Sequence, residues 1–525
     1  MATYTKKLAD SLQVLHKLQK KERLVFRANS LTRTHLERLV LAGYLQPIVK
    51  GWYMSSRPQE KPGGTTSWYA SFSDFVRGYC DDRFGKDWHV NAEISLLLHT
   101  GSTTLPLQII VSAKKGKNNL LNLPAGCSLW DSAAKDFPSA NLITEAQGLR
   151  ALTLETALVR AAPNLWITDP QTLHLALGQL PDVDQLSRLL LDGGNSVIAG
   201  RLAGALDAVG KSDLATELVE NMQAAGYVVV KSNPFNVPVA LIRSFPESPY
   251  CARIRTMWIE MREQVLNTWT VPKRSAVDSA VYLTQAEKCY VNDAYSSLSI
   301  EGYQVTPELI EKVRSGEWSP DKDDQNNHNA LAARGYYEAH LKVVESLTDV
   351  LEGKNAGNVL RQDLPHWYRA LWAPSLRAGI FKPSDLTGWR SSQVYIQHSK
   401  HIPLPPDAIR DAMPVLFELL THETEPQVQA VLGHFIFVFI HPYMDGNGRL
   451  ARFILNLMLA RGGWPWVIVT LDMRKRYMDA LEEASVRKNI QPFTILINEL
   501  LMQQSSAAPA KSTKQIKQTN STYLG

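Results

Sequence analysis

The chain has 525 residues, 45% of them hydrophobic, and a formal net charge of +5. Its mean hydropathy is −0.18, the composition of a globular protein with roughly three domains and several cores. No stretch approaches the ~18 consecutive apolar residues of a membrane span, so a membrane is excluded from the expected partners.

The start, Met1 to Lys7, has no apolar core of the kind a secretory signal needs. Four scattered cysteines, Cys80, Cys127, Cys251 and Cys289, show neither disulfide nor metal spacing. A reduced, cytoplasmic setting is expected. Charge is uneven: residues 1–60 hold eleven Lys and Arg against four Asp and Glu, so this segment carries +7 and the remainder −2. A basic end on a near-neutral body points to an acidic partner for that end, most simply DNA.

Leu8, Leu12, Leu15 and Leu18 give one apolar stripe on a helix over residues 5–20. Ser30 to Leu45 reads as a turn and a Ser/Thr-capped helix burying Leu36, Leu39 and Val40, with Gly43 at its end. Ile48 to Met54 reads as a β-hairpin turning on a glycine. Two helices and a basic-aromatic hairpin form a winged helix-turn-helix pattern over residues 1–60. It would set Arg33, Thr34, His35 and Arg38 toward the major groove and Lys50 at the wing. A small packing domain with merely solvated basic residues is the alternative.

Residues 56–67 read as a linker. Residues 68–245 mix strands (Leu105–Ser112, Tyr227–Lys231) with helices (Leu152–Ala162, Gln185–Leu191) and show no catalytic constellation. His89 and His99 read as packing or surface histidines. Gly51-Trp52-Tyr53 and a helix over Ala92–His99 before a strand resemble AbiEi-type antitoxins. That resemblance implies a DNA-binding winged helix fused to a mixed α/β domain.

From about Pro246 the pattern is helical up to about residue 503. Helices are expected at Arg253–Trp269, Val277–Ile300, Leu331–Leu351, Leu364–Leu371, Asp407–Leu420, Val428–Ile440, Asn447–Arg461, Met473–Arg487 and Pro492–Gln503. Val394–Gln397 followed by His401–Pro406 reads as a hairpin-like extended piece. The tail, 505–525, is low in complexity and expected to be disordered.

The chemistry concentrates in His441-Pro-Tyr-Met-Asp-Gly-Asn-Gly-Arg-Leu-Ala-Arg452. Apolar residues at helical spacing lie on both sides, so this is a loop between two buried helices, the second starting near Asn447-Gly448. Free backbone N–H groups at a helix start make an anion site, and glycines let a phosphate approach. Arg449 and Arg452 share one face of the first turn and add charged donors.

The same twelve residues resemble the signature of the Fic family, His-Pro-Phe-x-(Asp/Glu)-Gly-Asn-Gly-Arg-x-x-Arg, with Tyr443 for the usual Phe. The resemblance covers about residues 250–503. It implies an all-α Fic fold with a β-hairpin flap, and a protein adenylyltransferase that uses ATP. The expected whole is thus a multidomain, mainly α protein: winged helix, mixed α/β domain, Fic domain.

A protein hydroxyl is a poor nucleophile at neutral pH, and His441 has the intrinsic pKa of a base beside the anion site. Asp445 would hold Mg²⁺ against the phosphates. Gly446, Asn447 and Gly448 would donate to phosphate oxygens. The resemblance implies that Arg449 neutralises the β-phosphate and Arg452 orients the γ-phosphate. It also implies that a target segment pairs with the flap at Tyr395, Ile396 and Gln397. His398, Lys400 and His401 read as surface groups.

Ser297-Leu-Ser-Ile-Glu301-Gly302 closes the helix that begins near Val277. It resembles the inhibitory motif of Fic proteins that carry their own regulatory helix, here 277–302. The resemblance implies that Glu301 pairs with Arg452 and blocks productive ATP binding. In some members the same glutamate supports removal of AMP, so the reverse reaction is admitted. Dimers are common in the family, so a homodimer is admitted too. Two rivals remain. One is a zinc hydrolase using His434 and His441, which share a helix face but lack a third ligand. The other is a DNA-binding regulator or antitoxin whose Fic fold senses nucleotide.

Overall fold

A computed structural model describes residues 2–19, 24–58, 65–235, 248–273, 278–318 and 327–507. None of the helices described is long and apolar enough to cross a membrane. Four buried clusters organise the chain.

The first is small. Helices α1 (Ala2–Gln19) and α2 (Arg33–Leu41) pack on strands β1 (Val25–Arg27), β2 (Leu45–Val49) and β3 (Trp52–Ser55), which pair antiparallel in the order β1-β3-β2. Thr32 caps α2 by accepting from the His35 N–H. Gly43 leaves the helix at φ 77°, and Gly51 turns the β2–β3 hairpin at φ 83°. Only Leu39 of the expected helix stripe is fully buried.

The second and third clusters fill the middle. Helix α3 (Thr66–Phe84) and helix α4 (Ala92–His99) flank a sheet of β4 (Trp88–Val90), β5 (Gln108–Ala113), β7 (Ser128–Ala133) and β6 (Asn119–Asn122), in that spatial order. A hairpin follows, β8 (Ile143–Ala146) and β9 (Leu149–Leu152). Then come six helices: α5 (Leu154–Arg160), α6 (Leu165–Thr168), α7 (Pro170–Gly178), α8 (Asp184–Gly193), α9 (Ser196–Ala208) and α10 (Ser212–Ala224).

The strand expected at Tyr227–Lys231 is absent, because this segment has a helix as its neighbour instead of a strand. Gly200 and Gly204 of α9 have no side chain, and a Cβ there would strike the backbone carbonyls of Val230 and Ser232 at 2.1 and 2.2 Å. The segment therefore lies across α9, with the Ser232 N–H on the Gly200 carbonyl at 3.0 Å.

The largest core runs from Cys251 to Leu501. It is built by α11 (Pro249–Thr268), α12 (Ser279–Ile300), α13 (Pro307–Ser315), α14 (Asn327–Leu351), α15 (Ala356–Arg377), α16 (Pro406–His422), α17 (Pro426–Ile440), α18 (Asn447–Arg461), α19 (Arg474–Arg487) and α20 (Gln491–Ala507). The sequence pattern missed α13. It also made α15 too short at both ends. The helix expected at Leu364–Leu371 enters at Asn355, whose side chain accepts from Asn358 N–H, and passes through Pro365 and Pro374 to Arg377.

Helix α20 continues through Ser505 to Ala507, where a disordered tail was expected; 508–525 lie outside the described residues, as do 59–64 of the expected linker. The hairpin expected at 394–406 has no ladder among the described residues. His398 turns the chain at φ 60°, and the following arm pairs instead with the middle region: Thr104 and His401 form an antiparallel bridge, and the Ile402 N–H donates to the Thr103 carbonyl at 2.6 Å.

Candidate active site

Helices α17 and α18 are greasy on all sides, and both are buried along nearly their whole length. The loop between them is thereby fixed at both ends. Its internal shape comes from three contacts. His441 takes a left-handed conformation, φ 55° and ψ 60°, and ends α17. Asn447 ties its side chain to Tyr443 at both ends: Oδ1 accepts from Tyr443 N–H at 3.0 Å, and Nδ2 donates to the Tyr443 carbonyl at 2.8 Å. Tyr443 stacks on Tyr368 with centroids 3.7 Å apart, so the aromatic position is a buried anchor. Asn447 therefore shapes the loop with the amide that was expected to face a phosphate; its backbone N–H remains at the helix start.

Gly446 precedes α18 at φ 86°, and no side chain caps the helix. The first intrahelical bond of the turn is Leu450 N–H to the Gly446 carbonyl, 3.0 Å. The N–H groups just before it are the unsatisfied donors of a helix N-terminus, where the helix dipole favours an anion.

The His441 ring places Nδ1 3.1 Å from the Val438 carbonyl. That contact puts the proton on Nδ1 and leaves the Nε2 lone pair free. Burial pushes the imidazole down, the Val438 carbonyl pushes it back up, and Arg390 lowers it again; the net pKa is about 4. The ring is neutral at pH 7.

Arg390 was not foreseen, because nothing in local spacing marks an arginine 51 residues before His441. Its Nε donates to the His441 carbonyl at 2.8 Å, and its other nitrogens donate to the carbonyls of Ser392, at 2.7 Å, and Leu404. Its own N–H donates to the Pro442 carbonyl at 2.9 Å. Burial pushes this guanidinium down to about 10, still charged at neutral pH.

The two loop arginines sit in different company. Arg449 is fully buried, and none of its three side-chain nitrogens has a hydrogen-bond partner among the described residues. Its guanidinium lies 4.8 Å from the Trp372 ring and 5.2 Å from the Tyr303 ring. Asp445 Oδ1 is 3.6 Å away, on a side chain 62% exposed. Arg452 is engaged: Nε donates to Ser297 Oγ at 2.9 Å, one terminal nitrogen donates to the Ser297 carbonyl at 3.0 Å and to Glu301 Oε1 at 2.8 Å, and the other is unpartnered.

Glu301 stands at the end of α12, followed by Gly302 at φ 91°. Arg474 holds that end by donating to the Ile300 carbonyl at 2.9 Å. The carboxylate reaches the start of α18, where a Cβ added to Gly448 would meet Glu301 Oε1 at 2.3 Å. Burial works to raise this carboxyl, but Arg452 and then Arg449 outweigh it and hold it below the usual range. Burial likewise works against the charge of Arg452, and Glu301 more than restores it. A protein carboxylate thus sits against the anion-binding helix start.

The structure brings together Ser297, Glu301, His441, Asp445, Gly446, Asn447, Gly448, Arg449 and Arg452. Tyr395, Ile396 and Gln397 lie on the extended segment anchored by Arg390. This flap is held from outside: Glu482 accepts from Ser399 Oγ at 2.5 Å and from Lys400 N–H at 2.8 Å. His401, expected at the surface, is buried, because its two nitrogens bridge Thr103 Oγ1 (3.1 Å) and the Phe439 carbonyl (2.8 Å).

His434 is a core residue. Its nitrogens meet the Ala451 carbonyl at 2.9 Å and the Tyr477 hydroxyl at 2.8 Å, which leaves neither free for zinc. His89 is buried on the Val90 carbonyl, and His99 meets the Leu152 carbonyl. In α2, Arg33 and Thr34 are exposed, as is Lys50 in the hairpin turn. His35 and Arg38 turn toward α1 instead of outward: His35 Nδ1 is 2.9 Å from Ser11 Oγ, and Arg38 reaches the Lys7 carbonyl at 3.3 Å.

Among the described residues no cluster of three His, Cys, Asp or Glu occurs, and Asp445 is an exposed carboxylate beside the helix start. Mg²⁺ on a nucleotide takes one or two carboxylates and completes its shell with phosphates and water. An exposed Asp445 beside the helix start fits that donor set.

Residues 361–459 match the family model described as Fic/DOC family. The chain is 28% identical over 228 residues to the protein adenylyltransferase Fic of Aedes aegypti, covering 42% of each protein. It is 30% identical over 226 residues to that of Drosophila mojavensis, covering 41% of this chain and 40% of the relative. It thus spans about two fifths of the length of these curated relatives. Among solved structures, Fic-1 from C. elegans aligns with 67% of this chain and 90% of its own, at 19% identity and TM-score 0.36. A Fic domain-containing signaling protein from Bacteroides thetaiotaomicron aligns with 49% of this chain and 94% of its own, at 14% identity and TM-score 0.35. The C-terminal region of this chain contains a Fic domain.

Proposed function

We propose that this chain transfers AMP from ATP to a Ser, Thr or Tyr hydroxyl of a protein target, and that Glu301 restrains the transfer. The observation that carries the reading is the pairing of a neutral His441, Nε2 free, with an uncapped helix start beside an Arg449 whose nitrogens make no hydrogen bond among the described residues. The names of the relatives as protein adenylyltransferases support it.

The target oxygen attacks the α-phosphorus, the bond from that phosphorus to the bridging oxygen breaks, and pyrophosphate leaves. The hydroxyl proton goes to His441 Nε2. The N–H groups at the start of α18 and the Arg449 guanidinium hold the phosphate oxygens. Arg452, freed from Glu301, takes the γ-phosphate through the nitrogens it now spends on that carboxylate and leaves idle. Asp445 would hold Mg²⁺, which when bound supplies positive charge against the phosphates. The flap at Tyr395–Gln397 presents the target backbone beside His441. The resemblance to the family also admits the reverse reaction, in which Glu301 supports removal of AMP from the target.

Label transfer to protein from α-labelled ATP, but none from γ-labelled ATP, is expected of an E301G variant. H441A in that background loses the signal by ~10²–10⁴-fold, the size of a general-base contribution. Nucleotide binding without α-label transfer would favour the nucleotide-sensing regulator instead.

We infer separately that residues 1–60 bind DNA through the exposed Arg33, Thr34 and Lys50. A gel shift should weaken steeply with salt and weaken further in R33A/K50A. A complex insensitive to salt contradicts this.

A further inference from the structure

Arg449 is not the only buried donor left idle at the anion loop. Trp372, on α15, is 5% exposed, and its indole N–H has no hydrogen-bond partner among the described residues. Its ring is well held: Phe381 packs edge-on at 5.1 Å, and Arg449 lies over its face at 4.8 Å. The nitrogen points toward the loop. A Cβ built on Gly446 would lie 3.4 Å from Trp372 Nε1 and 3.6 Å from a terminal nitrogen of Arg449, in the space a side chain at 446 would fill. Leu371 Cδ2 borders the same space at 2.9 Å, so glycine at 446 keeps a small gap that a side chain would close. One indole N–H and one guanidinium therefore converge on a single small volume at the helix start.

Buried donors are almost always satisfied. One unsatisfied terminal nitrogen of Arg449 and one unsatisfied indole N–H at a single gap indicate a ligand rich in acceptors. A phosphate oxygen supplies several lone pairs and a negative charge, and suits a cation and a neutral donor side by side. This gap faces Gly446, whereas Glu301 and Arg452 face Gly448, the position where the γ-phosphate is read.

We propose that Trp372 is a nucleotide-binding residue whose indole N–H donates to the β-phosphate beside Arg449. This rests on the adenylyltransferase reading, since it takes a nucleotide to be the ligand. Trp372 then favours ATP and ADP over AMP, and helps to hold the pyrophosphate as it leaves. The ring face keeps the Arg449 guanidinium in place, while the N–H makes its own bond.

The test is isothermal titration calorimetry of the full chain carrying E301G, with and without W372F, against ATP, ADP and AMP. Phenylalanine keeps an aromatic face on Arg449 and removes the N–H. ATP and ADP should bind about tenfold more weakly to the W372F protein, as for a lost hydrogen bond to a charged group, while AMP binding changes less than twofold. A second reading uses the E301G chain labelled with ¹⁵N-tryptophan: the Trp372 indole N–H resonance should move downfield with ATP or ADP and stay with AMP. This measurement does not depend on the variant folding.

Equal ATP affinity in the two proteins, or an indole resonance indifferent to ATP and ADP, overturns the role of Trp372. A loss of the same size for all three nucleotides also overturns it, because it marks a packing role. An E301G parent that binds none of the three contradicts the adenylyltransferase reading itself.

Discussion

The anion loop and the flap are both irregular segments, and both border His441, but they are held in opposite ways. The loop is fixed by its own neighbours. Asn447 closes on Tyr443 four residues away, His441 closes on Val438 three residues away, and Gly446 gives the turn into α18. The flap is fixed by distant partners: Thr103, Phe439, Glu482 and Arg390. A loop that closes mostly on itself leans on distant residues at only a few points, such as Arg390 and Tyr368. A flap held by other regions reports on them, and one of its four partners here, Thr103, belongs to the middle region of the chain.

That contrast can be broken at either end. The largest effect is expected from N447A, which leaves the buried Tyr443 N–H and carbonyl without partners. Activity in the E301G background should fall ~100-fold, the cost of a displacement near 1 Å at a reacting group, and stability should fall by about 2 kcal/mol. Label transfer and chemical denaturation measure the two. Next is R390A, which strips the His441, Ser392 and Leu404 carbonyls of one shared donor. It should lower kcat roughly tenfold, with little change in nucleotide affinity, because Arg390 touches the loop and the flap base but not the anion cradle; single-turnover kinetics separate these.

T103V is milder. It removes the hydroxyl that meets His401 and leaves the Ile402 backbone bond intact. It should cost about 1 kcal/mol of stability and raise KM for the protein target more than it lowers kcat. An unchanged KM would mean that the middle region does not set the flap.

The smallest effect is expected from pH. Glu301 is held below the usual carboxylate range, so its charge, and the stability it lends, is present at neutral pH and is lost only as pH falls through that depressed value. His441 stays neutral down to about 4. The ratio of E301G to wild-type activity should therefore be flat between about pH 6 and 8. A ratio that collapses toward one at pH 6 would mean that the ion pair has already opened.

The same contrast explains what the sequence made legible. The loop, its two helices and the Glu301–Arg452 contact were readable because their determinants are close together or at fixed motif positions; α18 begins and ends at the expected residues, Asn447 and Arg461. Arg390, Tyr303 and Trp372 were not, because their partners lie on other elements. His401 was misread as exposed for the same reason. Tyr227–Lys231 has β-branched residues and looked like a strand, but only the glycines of α9 decide that it crosses a helix. In α2 the sequence set His35 and Arg38 outward, and the helix docks on α1 with both half-buried against it.

The central claim is that Glu301 occupies the anion end of the site and keeps Arg452 from ATP. Its carboxylate is 27% exposed and its partner 4%, so the pair is screened little by solvent. Transfer of label from α-labelled ATP by wild type and E301G, at equal protein and saturating Mg²⁺, tests it directly. The account predicts a rise of roughly 5- to 150-fold on removing the glutamate, the usual span of a coupling free energy. Equal or lower transfer by E301G, with ATP shown to bind, would contradict it.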